Sequence, residues 1–174
     1  PKGVVHSHKS IMANTNQIMA VYDLTPADDK FMMVLPLFHA FGFTGSLLPI
    51  LNGIKILVFP SPLLYQVIPE VIYDRGCTVL FATSTFLSNY AKFAHPYDFY
   101  KLRTVVAGSE KLNDEVRKVY SEKFGIRILE AYGATECAPG ISVNTFMANT
   151  NGSVGQILPS MEYKIEPVPG IEEG

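Results

Sequence analysis

The sequence is short of charge, of cysteine and of long apolar runs, and each shortage narrows the possibilities. Asp, Glu, Lys and Arg together make up 17% of the residues and the formal net charge is −2. No basic stripe is present, which argues against nucleic acid as a partner. Every apolar stretch is broken by Pro, Gly, Asn or Lys well before the roughly 18 residues that a membrane span needs, so membrane association is expected only through regions outside this chain. No cationic segment followed by an apolar one opens the sequence, so no signal peptide is expected. Only two cysteines occur, Cys77 and Cys137. A disulfide staple is not expected in a domain of this size, and a reducing compartment suits the sequence better.

What is present is a core. Hydrophobic residues make up 48% of 174 residues, enough for one compact domain. Short apolar runs recur and stop at turn residues: Phe31 to Leu35 before Pro36, Ile54 to Phe59 before Pro60, Thr78 to Phe81, Thr104 to Ala107 before Gly108, and Arg127 to Leu129. They are continuous rather than alternating, as in parallel strands covered on both faces. Helical segments lie between them. One opens at Asn113 as N-cap, carries Val116, Val119, Tyr120 and Phe124 on one face, and closes at Gly125. Another is predicted from Pro62 or Leu63 to Arg75 through Val67, Ile68, Val71 and Ile72. This rhythm predicts an α/β fold, a doubly wound and mostly parallel sheet flanked by helices. After Pro139 the rhythm changes, and Tyr163-Lys164-Ile165 reads as a short strand in a looser unit. The expected division is an α/β core over 1–140 and the start of an incomplete β-rich segment over 141–174.

A doubly wound sheet binds its ligands beyond the carboxyl ends of the strands. Four loops qualify: Pro36 to Gly42, Ala82 to Thr85, Gly108 to Lys111, and Glu130 to Glu136. Each carries small, hydroxylated or ionisable residues after a greasy strand. The last is the richest. Tyr132 offers a flat face to a planar ring, and Gly133 permits close approach of backbone. Thr135 offers a hydroxyl to a phosphate oxygen, and Glu136 is a hard oxygen ligand suited to Mg2+. Gly108 and Ser109 could let an adenine lie flat against backbone.

Tyr132-Gly133-Ala134-Thr135-Glu136 resembles the signature of the adenylate-forming superfamily, which includes acyl and aryl synthetases, luciferases and peptide-synthetase adenylation domains. Pro1-Lys2-Gly3-Val4 resembles the tail of that family's phosphate loop, and Pro36-Leu37-Phe38-His39 its next motif. Gly108 to Leu112 resembles its adenine-wall segment, and Gly152 to Pro159 the stretch that follows the signature. All stand in family order, so the resemblance spans essentially the whole chain. PKGVVHSHKS at the start, Ser61-Pro62-Leu63 with Tyr65, Phe99 to Arg103, and Pro169 to Gly174 are further similar to bacterial bifunctional enzymes. These combine an acyl-[acyl-carrier-protein] synthetase with a 2-acylglycerophosphoethanolamine acyltransferase.

The resemblance implies the nucleotide-gripping part of an enzyme that uses ATP and Mg2+ to activate a fatty acid as acyl-AMP. It implies transfer of the acyl group to the thiol of acyl carrier protein, and from there to lysophospholipid by another domain, at the cytoplasmic face of the inner membrane. Thr135 would meet the α-phosphate, Glu136 the metal and Lys2 the triphosphate, while His39 would flank the carboxylate and the thiol. Gly108, Ser109, Glu110, Tyr132 and Gly133 would frame the nucleotide. Phe38, Phe41, Thr83 and Phe86 are candidates for an apolar acyl channel. An acyl-CoA ligase and a non-catalytic nucleotide-binding module are the competing readings.

Other chemistries have less support. His6 and His8 lack nearby Cys, Asp or Glu to complete a metal site, Cys137 lacks a His-Asn constellation, and Ser109 is not in a Gly-x-Ser-x-Gly elbow. The phosphate loop, the ribose aspartate and the C-terminal lysine of the family are absent from the sequence. An excised fragment without full synthetase activity is therefore expected.

Overall fold

The structure is a computed structural model that describes residues 3–167 and Gly170. Among these residues seven strands form one sheet. In chain order they are β1 (Lys30–Met33), β2 (Lys55–Val58), β3 (Val79–Ala82), β4 (Thr104–Ala107), β5 (Ile128–Gly133), β6 (Gly140–Val143) and β7 (Gln156–Ile157). Their spatial order is β2-β1-β3-β4-β5-β6-β7. The first five are parallel, and β5, β6 and β7 pair antiparallel. The chain runs outward from β1 to β2, then crosses back to place β3 on the other side of β1. That reversal makes the switch point at which doubly wound sheets open a crevice.

Five α-helices cover the sheet: α1 (His8–Met19), α2 (Ala40–Leu51), α3 (Val67–Arg75), α4 (Ser84–Phe93) and α5 (Asp114–Phe124). Alternate residues of each strand feed two cores. Met32, Val34, Leu80, Ala82, Val105, Ala107 and Ile128 face α3, α4 and α5, against Ile72, Leu87, Tyr90 and Tyr120. Phe31, Met33, Leu35, Val79, Phe81, Val106 and Leu129 face α1 and α2, against Ile18 and Leu48. This double coverage is why the strands read as unbroken apolar runs. Each fully buried Phe or Leu side chain contributes about 1.5–3 kcal/mol by leaving water.

The helix ends follow local chemistry. Asn113 caps α5 by accepting from the Glu115 amide, Asp114 and Glu115 sit in its first turn, and Gly125 closes it with φ 68°. Two expectations change. The predicted helix from Pro62 or Leu63 starts only at Val67, because Ser61 Oγ accepts from the Leu63 amide in a competing turn. Tyr163 to Ile165 form no strand and stand exposed, since β7 ends at Ile157 and no strand among the described residues pairs with them. Two of the predicted loops also shorten. Pro36 to Gly42 runs into α2 at Ala40, and Ala82 to Thr85 runs into α4 at Ser84.

At the amino ends of the central strands one carboxylate ties three of them together. The Asp29 side chain is fully buried just before β1. It accepts from the Thr25 amide, from the Thr78 hydroxyl just before β3, and from the Arg103 guanidinium just before β4. Burial alone would raise its pKa, but the Arg103 bond, the Thr25 amide and the Thr78 hydroxyl together hold it below the usual carboxylate range. The folded value thus lies below the unfolded-chain value of about 3.9. This contribution to stability is complete above that value and is lost as pH falls through the folded one. Asp29→Asn is expected to cost about 2–4 kcal/mol at neutral pH, and the difference from wild type should shrink at pH 3. Urea unfolding at the two pH values measures both, and equal stability at neutral pH would show that Asp29 holds nothing.

Candidate active site

A single cleft at the carboxyl ends of β3, β4 and β5, beside the start of α2, gathers most of the residues singled out in the sequence. His39, Gly108, Ser109, Tyr132, Gly133 and Thr135 all line it. The space within it that a water-sized sphere can occupy is about 250 Å³, just under the roughly 300 Å³ at which small-molecule sites begin. Its floor is apolar and buried: Ile18, Phe81, Val106 and Val143. Its rim is polar and exposed: His39, Ser109, Tyr132 and Thr135.

Each rim residue owes its position to its element. His39 caps α2, with Nδ1 accepting from the Phe41 amide at 3.2 Å. That bond places the hydrogen of the neutral ring on Nε2, leaving a donor at the cleft. Ser109 follows β4 with φ 70°, a left-handed conformation that is costly for a residue with a Cβ and that concentrates at functional sites. A Cβ at Gly108 would stand 3.2 Å from two ring carbons of Phe41, so the ring would have to give by a few tenths of an ångström. Phe41 itself lines the cleft and stacks on Phe81, centroids 5.8 Å apart.

The signature stretch forms the end of β5 and the turn into β6. β5 continues to Gly133, so Glu130 belongs to the strand and not to the loop. There it is buried, paired with Arg117 at 2.8 Å and accepting from the Gly152 amide at 3.3 Å. The pairing register shifts between Tyr132 and Gly133. A side chain at Gly133 would collide with the Pro139 carbonyl, so the hairpin closes only with glycine at this point. Residues Thr135–Cys137 then make one 3-10 turn, capped by Ala138 with φ 69°. Three outside groups hold this loop by its backbone. His6 Nε2 lies 2.5 Å from the Thr135 carbonyl oxygen. Thr44 Oγ1 donates to the Ala138 carbonyl at 3.4 Å. Asn14 on α1, itself buried, donates to the Gly140 carbonyl at 2.8 Å and accepts from its amide at 2.9 Å.

Several named residues stand apart from the lining. Glu110 turns away, and its carboxylate accepts from the Thr85 amide at 2.6 Å. Desolvation would raise its pKa, but the Thr85 amide with the Thr85 and Thr83 hydroxyls outweighs it and lowers the value. Glu136 is exposed at the end of the rim with no ion-pair partner among the described residues. Phe38 is 94% exposed, Thr83 caps α4 through the Phe86 amide, and Phe86 packs between the two cores. Lys2 lies outside the described residues. Among the described residues no group of three His, Cys, Asp or Glu could hold a metal ion. A lone free carboxylate at the rim therefore suits a magnesium ion that is held mainly by phosphate and water, and not a protein cage.

Sequence reasoning missed α1, and with it Ile18 and Tyr22 in the cleft wall and Asn14 behind the loop. The apolar period Ile11-Ile18-Tyr22 was present, but two buried positions on the same face are Asn14 and Thr15, which hide the stripe. The signal that could have found the helix is its cap, Ser7 with Ser10.

Comparison with known proteins agrees with this geometry. Residues 1–172 match the model of the AMP-binding enzyme family. A long-chain-fatty-acid–CoA ligase of Yersinia pestis is 30% identical over 97% of this chain, and one of Bacillus subtilis is 28% identical over 95%. The chain spans 31% and 30% of the length of these two relatives. Among solved structures, ATP-bound MatB from Rhodopseudomonas palustris superposes with a TM-score of 0.82 at 25% identity, covering 91% of this chain and 31% of that one. The N-terminal domain of FACL13 from Mycobacterium tuberculosis shares the fold with a TM-score of 0.76 at 21% identity, covering 83% of this chain and 36% of that one. With its parallel sheet, its signature turn at the end of β5 and a family match over nearly its whole length, the chain belongs to the AMP-binding enzymes, the adenylate-forming superfamily.

Proposed function

We propose that the chain is the nucleotide- and acid-binding part of an ATP-dependent ligase that joins a fatty acid to a thiol. The observation that carries this reading is the cleft whose exposed rim holds Tyr132, Gly133 and Thr135 and whose buried floor is apolar. A nucleotide needs the first and an acyl tail the second. The fatty acid reading also draws support from the names of the relatives in Yersinia pestis and Bacillus subtilis.

In the first half-reaction a carboxylate oxygen attacks the α-phosphorus of ATP and the bond to pyrophosphate breaks. In the second, a thiol sulfur attacks the acyl carbonyl and AMP leaves. Phosphoryl transfer asks the protein mainly for positioning and charge stabilisation. The Thr135 hydroxyl donates to an α-phosphate oxygen. The Tyr132 ring and the backbone at Gly108 and Ser109 take the adenine, and Gly133 lets the chain approach it. Glu110 acts one step back, holding the start of α4 against the adenine segment through Thr85. His39 presents Nε2–H toward the reacting carboxylate. Glu136 is the residue that would hold magnesium, which when bound neutralises charge on the phosphates. The place of Lys2 beside the triphosphate rests on the motif alone. Residues 1–140 supply this core and 141–174 open a β-rich segment, which β6 and β7 join to the same sheet.

Coenzyme A is the acceptor thiol that the relatives' names support. A second reading, transfer to acyl carrier protein with onward passage to lysophosphatidylethanolamine at the inner membrane, rests on PKGVVHSHKS, Ser61 to Leu63, Phe99 to Arg103 and the segment from Pro169. That last segment lies mostly outside the described residues. No helix among the described residues is long and apolar enough to cross a membrane. A binding module without catalysis is disfavoured by the retained Thr135 and Glu136.

In the full-length protein, Thr135→Ala and Glu136→Gln are each expected to lower fatty-acid-dependent ATP–pyrophosphate exchange by about 10²-fold with the fold intact by circular dichroism. Unchanged exchange in either variant removes that residue from its role. Product analysis with palmitate, ATP and either coenzyme A or acyl carrier protein separates the two acceptors. Palmitoyl-CoA as the main product is the expected result, and palmitoyl carrier protein alone would establish the second reading.

A further inference from the structure

His6 belongs to none of the roles above, yet its ring reaches across 129 positions of sequence to the signature turn. A carbonyl oxygen only accepts, so the 2.5 Å approach of Nε2 to the Thr135 carbonyl requires the hydrogen on Nε2. The other nitrogen, Nδ1, faces Ser10 Oγ at 3.4 Å. Ser10 in turn is held in the capping box at the start of α1, its oxygen accepting from the Ser7 amide at 3.2 Å, while its single hydroxyl proton is shared between Nδ1 and the Ser7 carbonyl, 2.9 Å away. The imidazole is therefore anchored on the cap of one helix and grips the backbone of a distant loop.

That loop has little rigidity of its own. Its 3-10 turn is three residues long, and such turns have poor hydrogen-bond geometry. The only other donor to the Thr135 carbonyl among the described residues is the Ala138 amide, at 3.3 Å. The ties from Thr44 and Asn14 act farther along, at Ala138 and Gly140. None of the three engages the Thr135 hydroxyl or the Glu136 carboxylate, so the loop is held from behind with both groups free.

We infer that His6 is a positioning residue for adenylation, whose Nε2–H fixes the Thr135 backbone and so the direction of the Thr135 hydroxyl. The inference rests on the ligase reading given above for the same cleft. A misplacement of about 1 Å at a reacting group can cost about 10²-fold in rate, so one bond at the base of this turn has leverage on the chemistry.

The test uses the full-length protein with palmitate and ATP. His6→Leu is expected to lower kcat for ATP–pyrophosphate exchange by about tenfold, roughly what losing one well-placed hydrogen bond costs, with KM for ATP changed less. His6→Gln, whose side-chain amide can donate to the same carbonyl, should recover most of the loss. In a Thr135→Ala background His6→Leu should add less than about twofold, because residues acting as one unit are not additive. Independently of activity, amide exchange over residues 134–138 should quicken in His6→Leu while β4 is unchanged. Losses that multiply fully in the double variant overturn the inference. So does wild-type exchange in His6→Leu while Thr135→Ala is impaired, and in that case the ligase reading survives. If the wild-type protein catalyses no exchange but residues 134–138 still loosen, the ligase reading falls, and the catalytic role of His6 falls with it.

Discussion

Strands β1, β3, β4 and β5 are covered on both faces, and this constraint decides where chemistry can occur. Side chains that alternate between two buried cores leave little room on the sheet for a polar group, and Glu130 within β5 is accommodated by its pairing with Arg117. Polar groups are therefore driven to the strand ends, where backbone leaves the ladder and helices begin. At one end the demand is met by Asp29, which ties the approaches to β1, β3 and β4 through Thr78 and Arg103. At the other end the same demand is left open, and the cleft occupies the gap. The two ends of one sheet thus divide stability from function, as expected of doubly wound folds.

The cleft combines an apolar floor with a polar rim. Its floor is the continuation of the core around Phe81 and Val106. Its rim is the point where β5 abandons the parallel pattern and turns back as β6. The turn depends on Gly133, since any side chain there meets the Pro139 carbonyl. The same geometry exposes Tyr132, Thr135 and Glu136 in succession. An apolar tail and a nucleotide could therefore meet where their reacting ends must meet.

Holding such a turn without occupying its functional groups is a distinct problem. The protein addresses it by gripping backbone from behind, through His6, Thr44 and Asn14. Two of these come from the segment that leads into and forms α1, so that segment is tied to the signature turn. Glu110 and Glu130 play comparable supporting parts. The first braces the start of α4 and the second joins β5 to α5 and to the loop around Gly152.

The strand runs, the capped helix from Asn113 to Gly125 and the motif order were legible in the sequence by themselves, because period, caps and turn residues are local properties. Those local signals determined the α/β class, the family and the strand-end placing of His39, Gly108, Ser109, Tyr132, Gly133 and Thr135. Tertiary structure alone decided the rest. It put Glu110 on Thr85 instead of in the cleft, drew Glu130 into β5, and left Tyr163 to Ile165 without a strand partner. It also brought His6 and Asn14 behind the signature turn. No local pattern encodes those contacts: a buried Asn interrupts the stripe that would have revealed its helix, and a histidine 129 positions away acquires a role only when folding brings a carbonyl to it.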